Sequence, residues 1–95
     1  MEVRWSPEAA DDFTALIRYI RQDNPSAALQ VGRAIYDAVA QLNTFPNRGR
    51  PGRVKGTREL PLTRLPFLVV YRVREYAVEI ARVLHGAQRW PANYK

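Results

Sequence analysis

Two cap-and-proline pairs constrain the fold of this chain more than any other feature of its sequence. Ser6-Pro7 and Asn24-Pro25 each place a helix-capping side chain directly before a proline, and proline is favoured at the first position of a helix. The second pair also ends the first helix, because a proline disfavours helical backbone at the residue before it. The sequence therefore predicts two consecutive helices with almost no loop between them, that is, a helical hairpin.

The spacing of apolar residues supports both helices. The first helix carries one apolar stripe at helical spacing, made of Phe13, Leu16, Ile17 and Ile20. The second carries another, made of Val31, Ile35, Ala38 and Leu42. Gly32 lies beside the second stripe, and we expect the two helices to approach each other closely there.

The rest of the chain follows a strand pattern. Residues 57–62 predict a strand that Pro61 ends or places at an edge. Residues 65–74 predict a central strand that is apolar on both faces, and a tight turn leads to a partner strand over 78–84. Residues 3–5 predict a short strand that ties the N-terminus into the sheet. The expected fold is α+β in the order β-α-α-β-β-β, one domain over 1–95, with the helical hairpin on one face of an antiparallel sheet.

The cations are concentrated in the second half of the chain. Residues 1–47 hold four Lys/Arg against six Asp/Glu, a balance of −2, and residues 48–95 hold eleven against three, a balance of +8. This asymmetry is typical of contact with a phosphate backbone or an acidic protein surface, although it can also serve solubility alone. Residues 43–56 are predicted to form a flexible, acid-free loop that presents four of the cations.

Several classes of protein are not supported by the composition. The chain has no cysteine, which leaves neither disulfides nor thiolate metal ligands. No stretch approaches the length of apolar sequence that a membrane span requires. We expect a cytoplasmic protein without a cofactor or a metal ion.

Six short motifs, in order along nearly the whole chain, resemble the RelE/ParE toxin family of type II toxin-antitoxin systems. They are Trp5-Ser6-Pro7-Glu8-Ala9, Tyr19-Ile20 with Asn24-Pro25-Ser26-Ala27-Ala28, Gly49-Arg50, Gly56-Thr57-Arg58-Glu59-Leu60, Val69-Val70-Tyr71-Arg72-Val73 and Arg82-Val83-Leu84-His85. The resemblance implies a growth-inhibiting bacterial toxin, linked to plasmid stabilisation, that forms a hetero-oligomer with a ParD-like or RelB-like antitoxin carrying an extended arm.

The family divides by target, and the residues favour one branch. RelE-like members cleave messenger RNA on the ribosome, whereas ParE-like members poison DNA gyrase. The resemblance places a phosphate-binding arginine of the RNA-cleaving branch three residues before Tyr71, where this chain has Leu68. The ParE-like branch is therefore favoured, with no catalytic residue assigned. The alternatives are a ribosome-dependent endoribonuclease, with Glu59, Arg72, Arg82 and His85 as its candidate residues, and a non-toxic antitoxin-binding module.

Two sets of binding residues are predicted. The contacts to the target are expected to be cations together with one aromatic anchor near the chain end, namely Arg48, Arg50, Arg53, Lys55, Arg58, Arg89 and Trp90. An antitoxin helix is expected to bind an apolar groove along the helical hairpin, formed by Leu16, Tyr19, Ile20, Ala28, Leu29 and Tyr36. Structural roles remain open for His85, as a strand-end histidine, and for Arg72 and Arg82, as partners of Glu79 or Glu59.

Overall fold

The computed structural model describes residues 1–86, 88, 90 and 91. Its elements are β1 (Glu2–Trp5), α1 (Pro7–Asp23), α2 (Pro25–Ala40), a 3-10 turn (Gln41–Asn43), β2 (Arg50–Pro51), β3 (Arg58–Pro61), β4 (Phe67–Val73) and β5 (Ala77–His85). The predicted succession of one strand, two helices and then strands is confirmed, and the two-residue strand β2 lies within the segment predicted to be a loop.

The two cap-and-proline pairs form the helix starts as the sequence predicts. The Ser6 hydroxyl accepts a hydrogen bond from the Ala9 amide, and the Asn24 side chain accepts one from the Ala27 amide, each over 3.0 Å. Each cap satisfies a backbone donor that the first helical turn leaves without a partner. Asn24 alone joins the two helices.

The five strands lie in the order β1-β5-β4-β3-β2, with β4 in the centre. All neighbouring pairs from β2 to β5 are antiparallel, whereas β1 pairs with β5 in parallel, so the sheet is mixed. A parallel pair needs a long connection between its strands. The helical hairpin and the other strands provide that connection, and β1 can therefore lie beside the last strand of the chain.

The main core lies between the helices and one face of the sheet. Val69, Tyr71 and Ile80 belong to it, together with Ile35 and Val39 of α2. Because side chains alternate along a strand, the neighbours of these sheet residues point to the other face, here called the outer face.

The outer face also buries apolar surface in its centre. Val70 is fully buried on this face although it is not part of the core under the helices. A β-bulge in β5 interrupts the register next to Val70. Val70 lies opposite Arg82 and Tyr71 lies opposite Ile80, so Ala81 has no opposite residue.

No helix within the described part of the chain is both long enough and apolar enough to cross a membrane.

Candidate functional site

An ion pair between α1 and β5 closes the edge of the sheet where β1 ends. The Arg82 guanidinium donates to both carboxylate oxygens of Asp12, from Nε over 2.7 Å and from Nη2 over 3.1 Å, and the Val83 amide donates to the same carboxylate over 3.0 Å. The hydrogen bond with Asp12 raises the pKa of Arg82 above its ordinary value, against the opposing effect of burial. Arg82 is thus a partner of Asp12, not of the glutamates considered from sequence.

A buried tyrosine fixes the start of the basic segment. The Tyr71 hydroxyl donates to the Pro46 carbonyl and accepts from the Gly49 amide, each over 2.8 Å. The Arg58 guanidinium adds a hydrogen bond of 2.6 Å to the Gly49 carbonyl. A Cβ atom at Gly49 would stand 2.8 Å from the Tyr71 ring and 2.9 Å from the Glu59 carbonyl oxygen, so the close packing here requires glycine.

A buried carboxylate holds the next part of the same segment on the outer face. Glu59 is only 2% exposed. It accepts a hydrogen bond from the Arg53 amide over 2.9 Å and a longer one from the Arg50 guanidinium over 3.5 Å. A turn follows, in which the Gly52 amide donates to the Thr57 carbonyl over 2.8 Å and the Thr57 hydroxyl donates to the Val54 carbonyl over 2.6 Å. The segment predicted to be a loop therefore contains the short strand β2 and a hydrogen-bonded turn.

Four cations lie on this turn or beside it, and two of them, Arg50 and Arg72, occupy strand positions that point to the outer face. Arg50 and Arg53 flank Glu59, and the guanidinium of Arg72 lies 3.8 Å from the position that a Cβ atom on Gly56 would take. Lys55 is exposed on the same turn. We call Arg50, Arg53, Lys55 and Arg72 the outer basic face.

The C-terminal segment returns to this face. The Arg53 guanidinium donates to the Trp90 carbonyl over 3.2 Å. The indole of Trp90 is half-buried, and it lines an open depression of about 310 Å³ together with Arg72, Glu79 and Arg82. The indole N–H is buried without a hydrogen-bond partner among the described residues.

The structure divides the predicted target contacts between two regions. Arg50, Arg53 and Lys55 belong to the outer basic face, and Trp90 borders it. Arg48 hydrogen-bonds to the Gln41 side chain at the end of α2, and Arg58 binds the backbone of the segment before β2. Arg89 lies outside the described residues. Arg72, predicted from sequence as a ribonuclease residue or as a partner of Glu79 or Glu59, was missed as a member of the basic face.

The four candidate residues of a ribonuclease occupy different environments. Arg72 and Arg82 line the same depression, but Asp12 engages Arg82. Glu59 is buried and holds the turn. The His85 ring packs edge-on against Phe67, which belongs to the core under the helices, with ring centroids 5.8 Å apart. The histidine and the glutamate therefore lie toward opposite faces of the sheet.

An apolar groove lies along the helical hairpin, as the sequence suggested. It is an open depression of about 370 Å³, lined by Phe13, Ile17, Ala28, Leu29, Gly32, Arg33, Tyr36 and Asp37. Three of these residues were predicted, namely Ala28, Leu29 and Tyr36. Leu29 is 67% exposed and Tyr36 is 60% exposed, so large apolar side chains border the groove.

The remaining predicted groove residues have other positions. Leu16 and Ile20 pack against the main core, and Tyr19 is exposed on α1 outside the lining of the groove. Phe13, Ile17 and Gly32 were missed, although Gly32 carried a signal. A Cβ atom there would stand 3.3 Å from Ile17 Cδ1, so the glycine allows the close helix packing that its position in the sequence indicated.

A helical hairpin on a mixed five-stranded sheet is the fold of small toxins of the RelE/ParE type. The structure is similar to a chain of the chromosomal ParDE toxin-antitoxin system from P. aeruginosa, with a TM-score of 0.83 and 32% identity over 90% of this chain and 95% of that one. It also shares its fold with the YoeB dimer from Staphylococcus aureus, with a TM-score of 0.58 and 15% identity over 86% of this chain and 92% of that one.

The chain belongs to the family of ParE toxins of type II toxin-antitoxin systems, parDE, whose model matches residues 3–90. It is 42% identical to Y4kP of Sinorhizobium fredii, named as a candidate toxin, over 94% of this chain and 92% of that protein. It is 33% identical to toxin RelE2 of Caulobacter vibrioides, over 92% of this chain and 97% of that protein. Membership of this family implies an antitoxin partner.

Proposed function

We propose that this toxin inhibits DNA gyrase in the cytoplasm without a catalytic centre of its own, and that its antitoxin binds the groove of the helical hairpin. The observation that carries the proposal is the contrast between the two sets of polar residues. Glu59 and Arg82, two of the side chains that a ribonuclease would use, are engaged by structural partners, whereas Arg50 and Lys55 on the turn are exposed.

The structural roles of Glu59 and Arg82 oppose an RNA-cleaving centre. A general base must reach the hydroxyl proton that it removes, and Glu59 already accepts two hydrogen bonds while almost fully buried. Arg82 is held by the Asp12 carboxylate. Trapping a gyrase–DNA intermediate needs only a binding surface, which agrees with what the outer basic face offers. The similarity to a ParDE system also favours this branch.

The groove of the hairpin suits an amphipathic helix. Its floor contains Phe13, Ile17 and Gly32, and Leu29 and Tyr36 stand beside it. An antitoxin helix would bury its apolar face against these side chains. Arg33 at the rim would face an acidic side chain of the antitoxin.

A supercoiling assay tests the gyrase target. Purified toxin is added to gyrase, relaxed plasmid and ATP. We expect loss of supercoiling and linear DNA after detergent and protease treatment, which reveals a trapped cleavage complex, and we expect the antitoxin to prevent both. Full supercoiling with no linear DNA at micromolar toxin would refute the proposal.

Two further measurements separate the alternatives. Primer extension on messenger RNA after brief induction reports cleavage on the ribosome as new, codon-phased 5′ ends, and we expect none. Growth after induction reports toxicity, and we expect it to slow. Unimpaired growth would leave only an antitoxin-binding module.

Paired substitutions test the groove. Leu29→Glu with Tyr36→Glu should weaken antitoxin binding at least about 100-fold, because truncating anchors in an interface commonly costs more than 2 kcal/mol, while gyrase inhibition persists. Tyr76→Glu is the matched control, since Tyr76 is 78% exposed on the turn between β4 and β5. Equal antitoxin affinity of the paired variant and this control in calorimetry would place the antitoxin elsewhere.

A further inference from the structure

We infer that the outer basic face binds the phosphate backbone of duplex DNA directly, and does not bind an acidic surface of a protein. The inference rests on the proposed function, because it assigns the DNA part of a gyrase–DNA complex to these residues. The contacts are with phosphates and therefore independent of base sequence.

The charges of Arg50, Lys55 and Arg72 on this face are available to a partner. Two carboxylates lie near this face: Glu59 is buried and held by the Arg53 amide over 2.9 Å, and Glu79, opposite Arg72, forms an ion pair of 3.5 Å with Arg74. Arg50 approaches Glu59 only to 3.5 Å, and its side chain remains 59% exposed. Lys55 and Arg72 form no ion pair with the described residues. Phosphates can reach these cations without first displacing a strong internal ion pair.

The backbone under these cations is held by strand pairing and by hydrogen bonds. The β2–β3 pairing places Arg50 opposite Glu59, and the β3–β4 pairing places Glu59 opposite Val70, two residues from Arg72. With strands about 4.8 Å apart and residues about 3.4 Å apart along a strand, the Cα atoms of Arg50 and Arg72 are separated by about 12 Å. Holding the backbone at such a spacing in advance lowers the part of the entropic cost of binding that ordering the backbone would add.

The apolar side chains distinguish DNA from a protein partner. The centre of a protein interface commonly has aromatic or aliphatic anchors, whereas phosphate contacts need cations and hydrogen-bond donors. Among the described residues, the large exposed apolar side chains are Met1, Tyr19, Leu29, Tyr36, Phe45, Val73 and Tyr76. None of them belongs to the segment 50–57 that presents the cations, and Val73, next to Arg72, is 36% exposed and faces the opposite side of β4. The half-buried Trp90 at the border of the face offers its backbone carbonyl to Arg53. The guanidinium groups also match phosphate oxygens well.

The experiment measures DNA binding without gyrase. Fluorescence anisotropy of a labelled duplex of arbitrary sequence is recorded with the purified full-length toxin at several salt concentrations. We expect log Kd to change linearly with log salt, and an unrelated duplex to bind equally well. For a contact with four phosphates, the slope would be about 3.6.

Two double variants with equal loss of charge test the location. Lys55→Gln with Arg72→Gln removes two cations of the outer basic face. Arg18→Gln with Arg21→Gln removes two exposed cations of α1. The first variant should bind the duplex about tenfold more weakly, and its slope of log Kd against log salt should be smaller by about 2. The second should change the DNA affinity by less than about threefold. Lys55→Arg with Arg72→Lys should restore both quantities, since it restores the charge. Circular dichroism confirms that each variant folds.

Three outcomes would overturn the inference. The first is that the two double variants weaken the affinity for duplex DNA equally. The second is that the toxin does not bind duplex DNA at low salt. The third is that the Lys55/Arg72 variant keeps its DNA affinity but no longer binds isolated gyrase. The last outcome would make the face a protein-binding surface. Because gyrase is absent from the anisotropy experiment, failure of DNA binding is distinguishable from failure of gyrase inhibition in the supercoiling assay.

Discussion

Removing a single hydroxyl group, by Tyr71→Phe, should destabilise this protein far more than the loss of one atom suggests. The hydroxyl is the hydrogen-bond donor for the Pro46 carbonyl and the acceptor for the Gly49 amide. Gly49 is buried, and the phenylalanine ring would fill the same space as the tyrosine ring. The substitution therefore removes two hydrogen bonds, leaves two backbone groups unsatisfied, and creates almost no cavity.

The magnitude follows from those two backbone groups. A buried donor or acceptor left without a partner costs about 1–3 kcal/mol. Pro46 is only half-buried, so water can partly replace the lost donor at its carbonyl. We expect the free energy of unfolding to fall by about 2–4 kcal/mol. For a chain of this size the loss corresponds to a decrease in Tm of about 10–20 °C.

Thermal and urea unfolding, followed by circular dichroism, measure the change. Tyr76→Phe is the control because Tyr76 is largely exposed and should change the free energy of unfolding by less than about 0.5 kcal/mol. Hydrogen exchange should also show faster exchange of the Gly49 amide in the Tyr71 variant. A Tyr71→Phe protein as stable as the control would refute the conclusion that this hydroxyl holds the segment before β2.

Three further substitutions test the remaining structural arguments. Gly49→Ala should destabilise by about 2 kcal/mol or more, since the new methyl group would overlap the Tyr71 ring and a carbonyl oxygen; urea unfolding would contradict this if the midpoint were unchanged. Asp12→Ala should lower the free energy of unfolding by about 2–3 kcal/mol, which is less than the loss of a fully buried ion pair because water reaches Arg82. A double-mutant cycle with Arg82→Ala should give a coupling energy of about 1 kcal/mol. Val70→Asp should prevent folding, because an unpaired charge would lie at the centre of the sheet, and a folded variant by circular dichroism would show that this position can relax.

The sequence predicted the helices well because their signals are local. Ser6 and Asn24 cap them as expected, and the starts at Pro7 and Pro25 and the end of the first helix at Asp23 follow from the two prolines. The apolar stripe of the second helix extends to Leu42, whereas α2 ends at Ala40 and continues as a 3-10 turn. The central strand was also predicted, since its residues are apolar on both faces. The family resemblance drawn from the motifs is confirmed by the family model that spans residues 3–90.

The candidate sites were predicted less completely because surface position is not a local property. The periodicity of α1 and α2 identifies apolar residues, but it does not divide them between the core and the groove. Leu16 and Ile20 thus belong to the core, whereas Ile17 lines the groove. The Gly/Pro-rich composition of 43–56 indicated flexibility, but Glu59 and Tyr71, both distant in sequence, order this segment.

By itself, the sequence determined the helical hairpin, the strands that follow it, the excess of cations in the second half and the family, because each depends on neighbouring residues or on composition. Only the tertiary structure decided the parallel pairing of β1 with β5, the contact of Asp12 with Arg82 across 70 positions of the chain, and the division of the arginines between two faces. These features depend on which strand edges and side chains come into contact in the folded chain, and the free energy of these contacts comes from packing between distant segments. Local sequence patterns therefore do not predict them.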